Sequence, residues 1–395
     1  MHFDLLRGAA LFAPEDRGTC DVLVGAGKIL WMGTGAPDLG TPDDLPVREH
    51  DLRGKLLIPG LVDCHAHVTG GGGESGFASR VPPLALTNFT RAGVTSVVGL
   101  LGTDDTVRTT GDLVATTRGL RELGLSAWCY TGGYHLPATT LTGSVRGDIV
   151  HLEPVLGVGE LALSDHRSSQ PTLEELLRVA ADAHVAGLMA NKAGICHLHL
   201  GDGPRGLGLV RRALEVSELP PQVFHPTHVN RRRALFEEAL ELAERGVAID
   251  VTAFPVEDGE DAWSAAEAVL RFRASGLPAE RLTVSSDGGG CLPVFDAEGR
   301  ISSMGIGCPG ELLATLRELI EGGLEPTAAL APFTSNPARV LRLASKGQLA
   351  VGADADLVVL DADWRVTDVM ALGRWHVTDG EAVVRGLFET PSRNE

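Results

Sequence analysis

The sequence predicts an α/β protein: a (β/α)8 TIM barrel joined to a small β-sandwich domain built from both chain ends. Three observations lead there. Between residues 56 and 287, eight apolar strand-like segments alternate with amphipathic ones, the pattern of parallel strands joined by helices. Residues 1–55 and 346–395 carry short strands broken by glycine turns instead. Glycine, 49 of 395 residues, gathers where strands meet loops, as tight turns require.

In chain order, the first end reads as strands from Asp4 to Leu11, Cys20 to Val24, Lys28 to Met32 and Val47 to Leu52, with turns at Gly25-Ala26-Gly27 and Gly33-Thr34-Gly35. Barrel strands are expected at 56–67, 94–100, 126–134, 153–163, 195–201, 223–229, 247–253 and 282–287. Between them lie helical patterns such as Leu173 to Ala186, Gly208 to Val216 and Ala234 to Arg245. In the first of these, Leu173, Leu176, Leu177, Ala180 and Ala181 recur at helical spacing and leave Glu174, Glu175 and Arg178 for solvent. The second end resumes the β texture at Ala355 to Leu360, Val366 to Leu372, His376 to Thr378 and Ala382 to Arg385. The expected division is therefore a small β-domain from 1–55 and 346–395, and a barrel over 56–345.

Composition narrows the function. A formal charge of −18 argues against a nucleic-acid partner, which would select a basic face. No apolar run approaches the roughly 18–20 residues a membrane span needs, and Met1-His2-Phe3-Asp4 lacks the basic opening and apolar core of a secretory signal. The six cysteines are scattered without CxxC spacing, and Cys64, Cys129 and Cys196 fall in expected buried strands. They read as reduced thiols of a cytoplasmic protein.

The chemistry begins at Leu57-Ile58-Pro59-Gly60-Leu61-Val62-Asp63-Cys64-His65-Ala66-His67. Side chains on a strand alternate faces, so His65 and His67 share one. Alone, the pair reads equally well as two polar residues at a loop mouth. Later strand ends change the balance. Glu160 closes the fourth strand, His197 and His199 lie on the fifth, His228 ends the sixth and Asp287 the eighth. In a barrel these ends converge on one mouth. A buried polar group left unpaired costs roughly 1–3 kcal/mol, so such a cluster calls for a divalent cation, and imidazole with carboxylate suits zinc.

Motifs along nearly the whole chain then carry a family resemblance. They are Ala13-Pro14-Glu15-Asp16-Arg17-Gly18, Gly70-Gly71-Gly72-Gly73-Glu74, Thr95-Ser96-Val97-Val98-Gly99-Leu100-Leu101-Gly102-Thr103-Asp104, Thr131-Gly132-Gly133-Tyr134-His135, Ser164-Asp165-His166-Arg167-Ser168, Pro226-Thr227-His228-Val229-Asn230-Arg231 and Ser285-Ser286-Asp287-Gly288. With them the chain resembles the amidohydrolase superfamily and, within it, the isoaspartyl dipeptidase family. The resemblance implies two zinc ions per subunit. His65, His67 and Asp287 would hold the more buried ion, and His199 and His228 the other. His197 is read as a core histidine behind them. Most such enzymes bridge the metals with a carboxylated lysine on the fourth strand. Here that position falls on Glu160, which offers the same two-oxygen carboxylate on a shorter arm. Gly157 and Gly159 would let the backbone approach, through a local bulge.

The activity implied is hydrolysis of isoaspartyl dipeptides to aspartate and a second amino acid. A hydroxide between the metals attacks, Asp287 acts as general base and then acid, and Tyr134 with a metal stabilises the oxyanion. Glu74 would pair the substrate ammonium. Arg167 and Arg231 would clamp its carboxylates, with Thr103 and the backbone at Gly72 completing the pocket. Cys291 stands where the resemblance expects a serine and is read as a pocket lining, not a nucleophile. The implied partner is a small dipeptide, and the implied assembly a homo-oligomer, an octamer among the candidates. Alternatives are a hydantoinase, dihydroorotase or N-acyl-amino-acid deacylase, and a barrel kept as a non-catalytic scaffold.

Overall fold

The computed structural model describes residues 2–35, 37, 46–257, 259–295 and 301–389. Parts of the end domain expected from sequence, 38–45 and 390–395, lie outside the described residues. The barrel strands are β1 (Leu61–Ala66), β2 (Val94–Gly99), β3 (Ser126–Thr131), β4 (Val155–Leu163), β5 (Ile195–Leu200), β6 (Phe224–Thr227), β7 (Ile249–Thr252) and β8 (Leu282–Ser285). The first six form one parallel sheet in sequence order. β7 and β8 pair in parallel, β7 lies beside β6 and β8 beside β1, and a bridge from Ala66 to Gly288 closes the ring.

A helix follows each strand: α1 (Leu86–Thr90), α2 (Thr110–Glu122), α3 (Val145–His151), α4 (Leu173–Ala190), α5 (Gly208–Val216), α6 (Arg233–Glu244), α7 (Ala265–Ala274) and α8 (Gly310–Glu321). Every residue of β1, β2, β4 and β5 is buried, as strands covered by helices on one face and packed inside a barrel on the other must be. α4 shows how sequence sets the outer layer. Thr172 accepts a hydrogen bond from the Glu175 amide while the Glu175 carboxylate accepts one from Thr172, which fixes the helix start. Its buried stripe is Leu176, Val179, Ala180, Ala183, Ala186 and Gly187, whereas Leu173, Leu177 and Ala181 lie at the half-buried edge.

The strand expected at 56–67 is two strands. Leu56–Pro59 pairs with Ala10 and Leu11 and, on its other side, with Leu357–Leu360. β1 then begins after Gly60, where a Cβ would lie 2.0 Å from Thr95 Oγ1. Glycine lets the chain pass from one sheet to the other against β2. The two ends together form a nine-stranded sheet, and the expected β-sandwich is thus hydrogen-bonded as one sheet. It encloses a core of its own, with Leu6, Leu11, Val22, Ile29, Leu57, Leu357, Val359 and Met370 fully buried or nearly so. Buried Lys346 ties this sheet to the barrel: Nζ donates to Ser126 Oγ at 2.6 Å at the start of β3 and to Asp356 at 2.5 Å. A hairpin that the strand pattern does not announce, Cys291–Phe295 with Ile301–Ile306, follows β8.

Candidate metal centre

The alternation of β1 brings His65 and His67 to one mouth, ring centroids 5.5 Å apart. Asp287 reaches them from just past β8, its Oδ1 3.4 Å from His65 Nε2 and 3.1 Å from His67 Nε2. Both Asp287 and His228 adopt the left-handed backbone conformation at their strand ends, which turns each side chain inward. A Cβ on Gly290 would lie 2.1 Å from Asp287 Oδ1, so the glycine run after β8 is what leaves room for the carboxylate.

Glu160 stands between the two halves of the cluster. Its Oε1 lies 3.3 Å from His67 Nε2, and its Oε2 lies 3.2 Å from His199 Nδ1, 3.5 Å from His228 Nε2 and 3.6 Å from His65 Nε2. The bulge expected from Gly157 and Gly159 is present. Val158 pairs with Cys196 and Leu161 with Leu198, so Gly159 and Glu160 together oppose His197. A Cβ on Gly159 would sit 2.7 Å from His197 Cβ, and one on Gly102 would sit 2.7 Å from His67 Cε1. Two missing side chains therefore admit the shorter acidic arm.

Three of the four histidines are held through their outer nitrogen. His65 Nδ1 lies 2.8 Å from His197 Nε2. His228 Nδ1 is 2.7 Å from Thr252 Oγ1. His199 Nε2 is 3.0 Å from Asp165 Oδ2. Such partners orient an imidazole so that its inner nitrogen faces a cation. Asp165 belongs to the Ser164-Asp165-His166-Arg167-Ser168 motif, whose spacing assigns it no role; only the fold brings it to His199.

The electrostatics are those of a cluster waiting for positive charge. Burial works against ionisation of Glu160, but His65 and His199 outweigh it and hold the carboxyl well below the usual carboxylate range. Burial likewise opposes charge on Asp287, and the same kind of contact from His65 and His67 holds it low. His67 would be lowered by burial, yet Asp287 and Glu160 push it up to about 10. Burial wins at His228, which falls to about 4.

A divalent cation fits these residues. His65 Nε2 and Asp287 Oδ1 are buried, face the cluster and have no hydrogen-bond partner among the described residues. Leaving such atoms unpaired costs about 1–3 kcal/mol each, a cost that coordination removes. Within this cluster three donor sets have ligand atoms within 4.8 Å of one another: His65, His67 and Glu160; His65, His228 and Asp287; and Glu160, His199 and His228. Glu160 belongs to two of them, which suits an atom pair shared by two ions.

Above the cluster opens a cavity of 290 Å³. Every expected site residue except His65, which lies beneath, lines it: Gly72, Glu74, Thr103, Tyr134, Arg167, Arg231 and Cys291 join the ligands. Arg167 donates to Glu74 Oε1 at 3.1 Å, and Thr103 Oγ1 donates to the same oxygen at 3.1 Å. Arg167 also forks onto Asp165 at 3.0 and 2.7 Å. Arg231 donates to the Leu200 carbonyl and pairs with Asp202. Tyr134 OH lies 2.9 Å from His199 Nδ1, and burial holds its phenol well above the ordinary value, so it remains a neutral donor. Phe254, Pro255 and Glu260 line the cavity too; they sit past β7 without a motif to announce them.

Known proteins resemble this chain along most of its length. The amidohydrolase family model matches residues 56–376. A crystal structure of beta-aspartyl dipeptidase from Fervidobacterium islandicum AW-1 in complex with beta-Asp-Leu dipeptide is 41% identical, with TM-score 0.91, over 96% of this chain and 97% of that one. A second structure of that dipeptidase is 39% identical with TM-score 0.88, over 96% and 98%. A curated imidazolonepropionase from Ruegeria is 25% identical over 90% of this chain and 92% of its own.

Proposed function

This chain belongs to the amidohydrolase family, and from that premise we propose that it hydrolyses isoaspartyl dipeptides at a pair of zinc ions. One observation carries the reading. Beside the ligand cluster, one pocket is lined by the carboxylate of Glu74 and the guanidiniums of Arg167 and Arg231, side chains only 18, 20 and 24% exposed, whereas Asp202, 68% exposed, and Glu260 stand open to solvent at its outer edge. A β-aspartyl dipeptide carries one ammonium and two carboxylates, so the inner charges match it group for group. The likeness to a dipeptidase complexed with beta-Asp-Leu supports the same reading.

His65, His67 and Asp287 would hold one ion and His199 and His228 the other, with Glu160 shared between them. Zinc bound there would bring the pKa of its water toward neutrality and polarise the amide carbonyl. The remaining work falls to the chain. Asp287 takes the proton of the attacking water and returns it to the leaving amine. Tyr134 donates to the carbonyl oxygen as negative charge develops on it. Glu74 gives up part of its pairing with Arg167 and Thr103 to receive the ammonium. Arg167 and Arg231 then hold the carboxylates, which fixes the scissile bond against Asp287. The homo-oligomer remains part of this proposal.

The second reading is a cyclic amide, favoured by the likeness to imidazolonepropionase. A panel decides between them: β-Asp-Leu, α-Asp-Leu, imidazolone propionate, hydantoin, dihydroorotate and N-acetyl amino acids, assayed on zinc-loaded protein. Turnover of β-Asp-Leu well above the others is expected; none at all would end the dipeptidase reading.

A further inference from the structure

Behind the metal cluster, a chain of polar side chains crosses the barrel interior. His65 Nδ1 on β1 lies 2.8 Å from His197 Nε2 on β5. His197 Nδ1 lies 3.0 Å from His225 Nδ1 on β6, and His225 Nε2 is 3.0 Å from Thr283 Oγ1 on β8. Thr283 Oγ1 donates to Asp250 Oδ1 on β7 at 2.5 Å. All five residues are fully buried, and the Tyr130 ring stacks on His197 with centroids 5.0 Å apart.

Donor counting gives this chain a direction. Asp250 accepts from Thr283 and Cys64 at one oxygen and from Thr227 and Ser285 at the other, which is the environment of an ionised, acceptor-only carboxylate. Thr283 has one proton, and Asp250 takes it. The Thr283 oxygen must then accept, so His225 Nε2 carries hydrogen and His225 Nδ1 is bare. His197 Nδ1 accordingly donates to it, His197 Nε2 is bare, and His65 Nδ1 donates in turn. The reverse order would set two acceptors face to face between Thr283 and Asp250. We propose that Asp250, which touches none of the cluster residues, is a positioning residue that fixes His65 as the Nδ1–H form and so presents its Nε2 to the metal. Outer hydrogen bonds of this kind commonly change metal affinity by about 10–100-fold when broken.

The proposal rests on the metal-centre reading, and two measurements separate their failures. Zinc affinity by chelator competition should fall about 10–100-fold in Thr283→Val, which keeps the shape but removes the hydroxyl, and stay near wild type in Thr283→Ser. Equal affinity in both variants would overturn it. Should the valine variant not fold, Thr283→Ala, which removes the hydroxyl and adds no bulk, is expected to weaken zinc by the same factor, and unchanged binding there would overturn the proposal equally. In metal-free, 15N-histidine-labelled protein, the bare nitrogen of His197 should be Nε2. A bare Nδ1 would overturn the proposal even if the wild type bound no zinc, whereas that lack of zinc alone would sink only the metal-centre reading.

Discussion

The ligand cluster and the pocket rim lie within one mouth and are built on opposite terms. Cluster residues sit on or beside strands, are nearly inaccessible to solvent, and three of the four histidines have a fixed partner behind them, such as Thr252 for His228 and Asp165 for His199. Rim residues sit on loops. Glu74 and Arg231 pair with other charged side chains, Arg167 and Asp202, which a substrate can replace. The cluster is preorganised for one geometry, whereas the rim is a set of ion pairs that exchange. Charge matters in both. Removing it from the cluster should therefore damage the reaction, and removing it from the rim should damage selection.

Glu160→Ala tests the cluster end of that contrast and should have the largest effect. It deletes the carboxylate whose two oxygens approach all four histidines, His65, His67, His199 and His228. Zinc content is expected to fall from two ions per chain toward one, and kcat to drop on the order of 10³-fold or more, with KM little changed. Elemental analysis beside steady-state kinetics checks it. Two ions and near-normal kcat would show that the carboxylate is not a bridge.

Next in size is the pH dependence of metal uptake. In the metal-free protein Asp287 and Glu160 raise His67 to about 10, and a ligating imidazole must lose its proton. Raised above its unfolded value, His67 stabilises the metal-free fold fully below about 6.5 and loses that contribution as pH rises through about 10. Zinc competes with this proton. Its apparent affinity should thus climb by up to about tenfold per pH unit between 6.5 and 10, with proton release visible by calorimetry in buffers of different ionisation enthalpy. The rim responds in the opposite sense: β-Asp-Leu binding to loaded protein should weaken as pH rises past about 8, where the substrate's own ammonium loses its proton.

Glu74→Gln probes the rim. It keeps the shape and removes the charge that Arg167 and Thr103 now share. A charge-assisted hydrogen bond is worth about 1.5–3 kcal/mol, so kcat/KM should fall by roughly ten- to a hundredfold, mainly through KM, with zinc content intact. An effect on zinc content would blur the distinction between the two regions.

The same division explains what could be read without a structure. His65 and His67 announce themselves because a strand's period of two is local, and the strand-end rule for barrels gathers Glu160, His199, His228 and Asp287. Glu160 needed a motif count from Ser164-Asp165-His166-Arg167, and its bulge was legible only because Gly157 and Gly159 flank the position. Asp165 and Asp250 were not legible as partners of His199 and Thr283. Each acts across strands, and nothing in the spacing of Asp250 says that β7 faces β8 and β6 inside the barrel. The break at Gly60 was hidden for a related reason. Leu56–Pro59 and β1 form one apolar run, and which sheet each joins is set by the distant segment Leu357–Leu360.

Cys291 supplies the smallest effect and the finest cut between the two regions. It lines the cavity, and a Cβ on Gly72 would come within 3.2 Å of its sulfur, so the thiol lies against the glycine loop in the cavity wall. Burial first, then Glu74 and Asp287, push it up to about 11. At neutral pH it is therefore a thiol rather than a nucleophilic thiolate. A hydroxyl there would donate a stronger hydrogen bond to a substrate carboxylate than a thiol does. Cys291→Ser is accordingly expected to improve kcat/KM for β-Asp-Leu by about 0.5–1.5 kcal/mol, a gain of roughly two- to tenfold read in KM, with kcat and zinc content unchanged. If kcat collapsed instead, the sulfur would belong to the reacting centre, and the separation of a fixed cluster from an exchanging rim would fail at this residue.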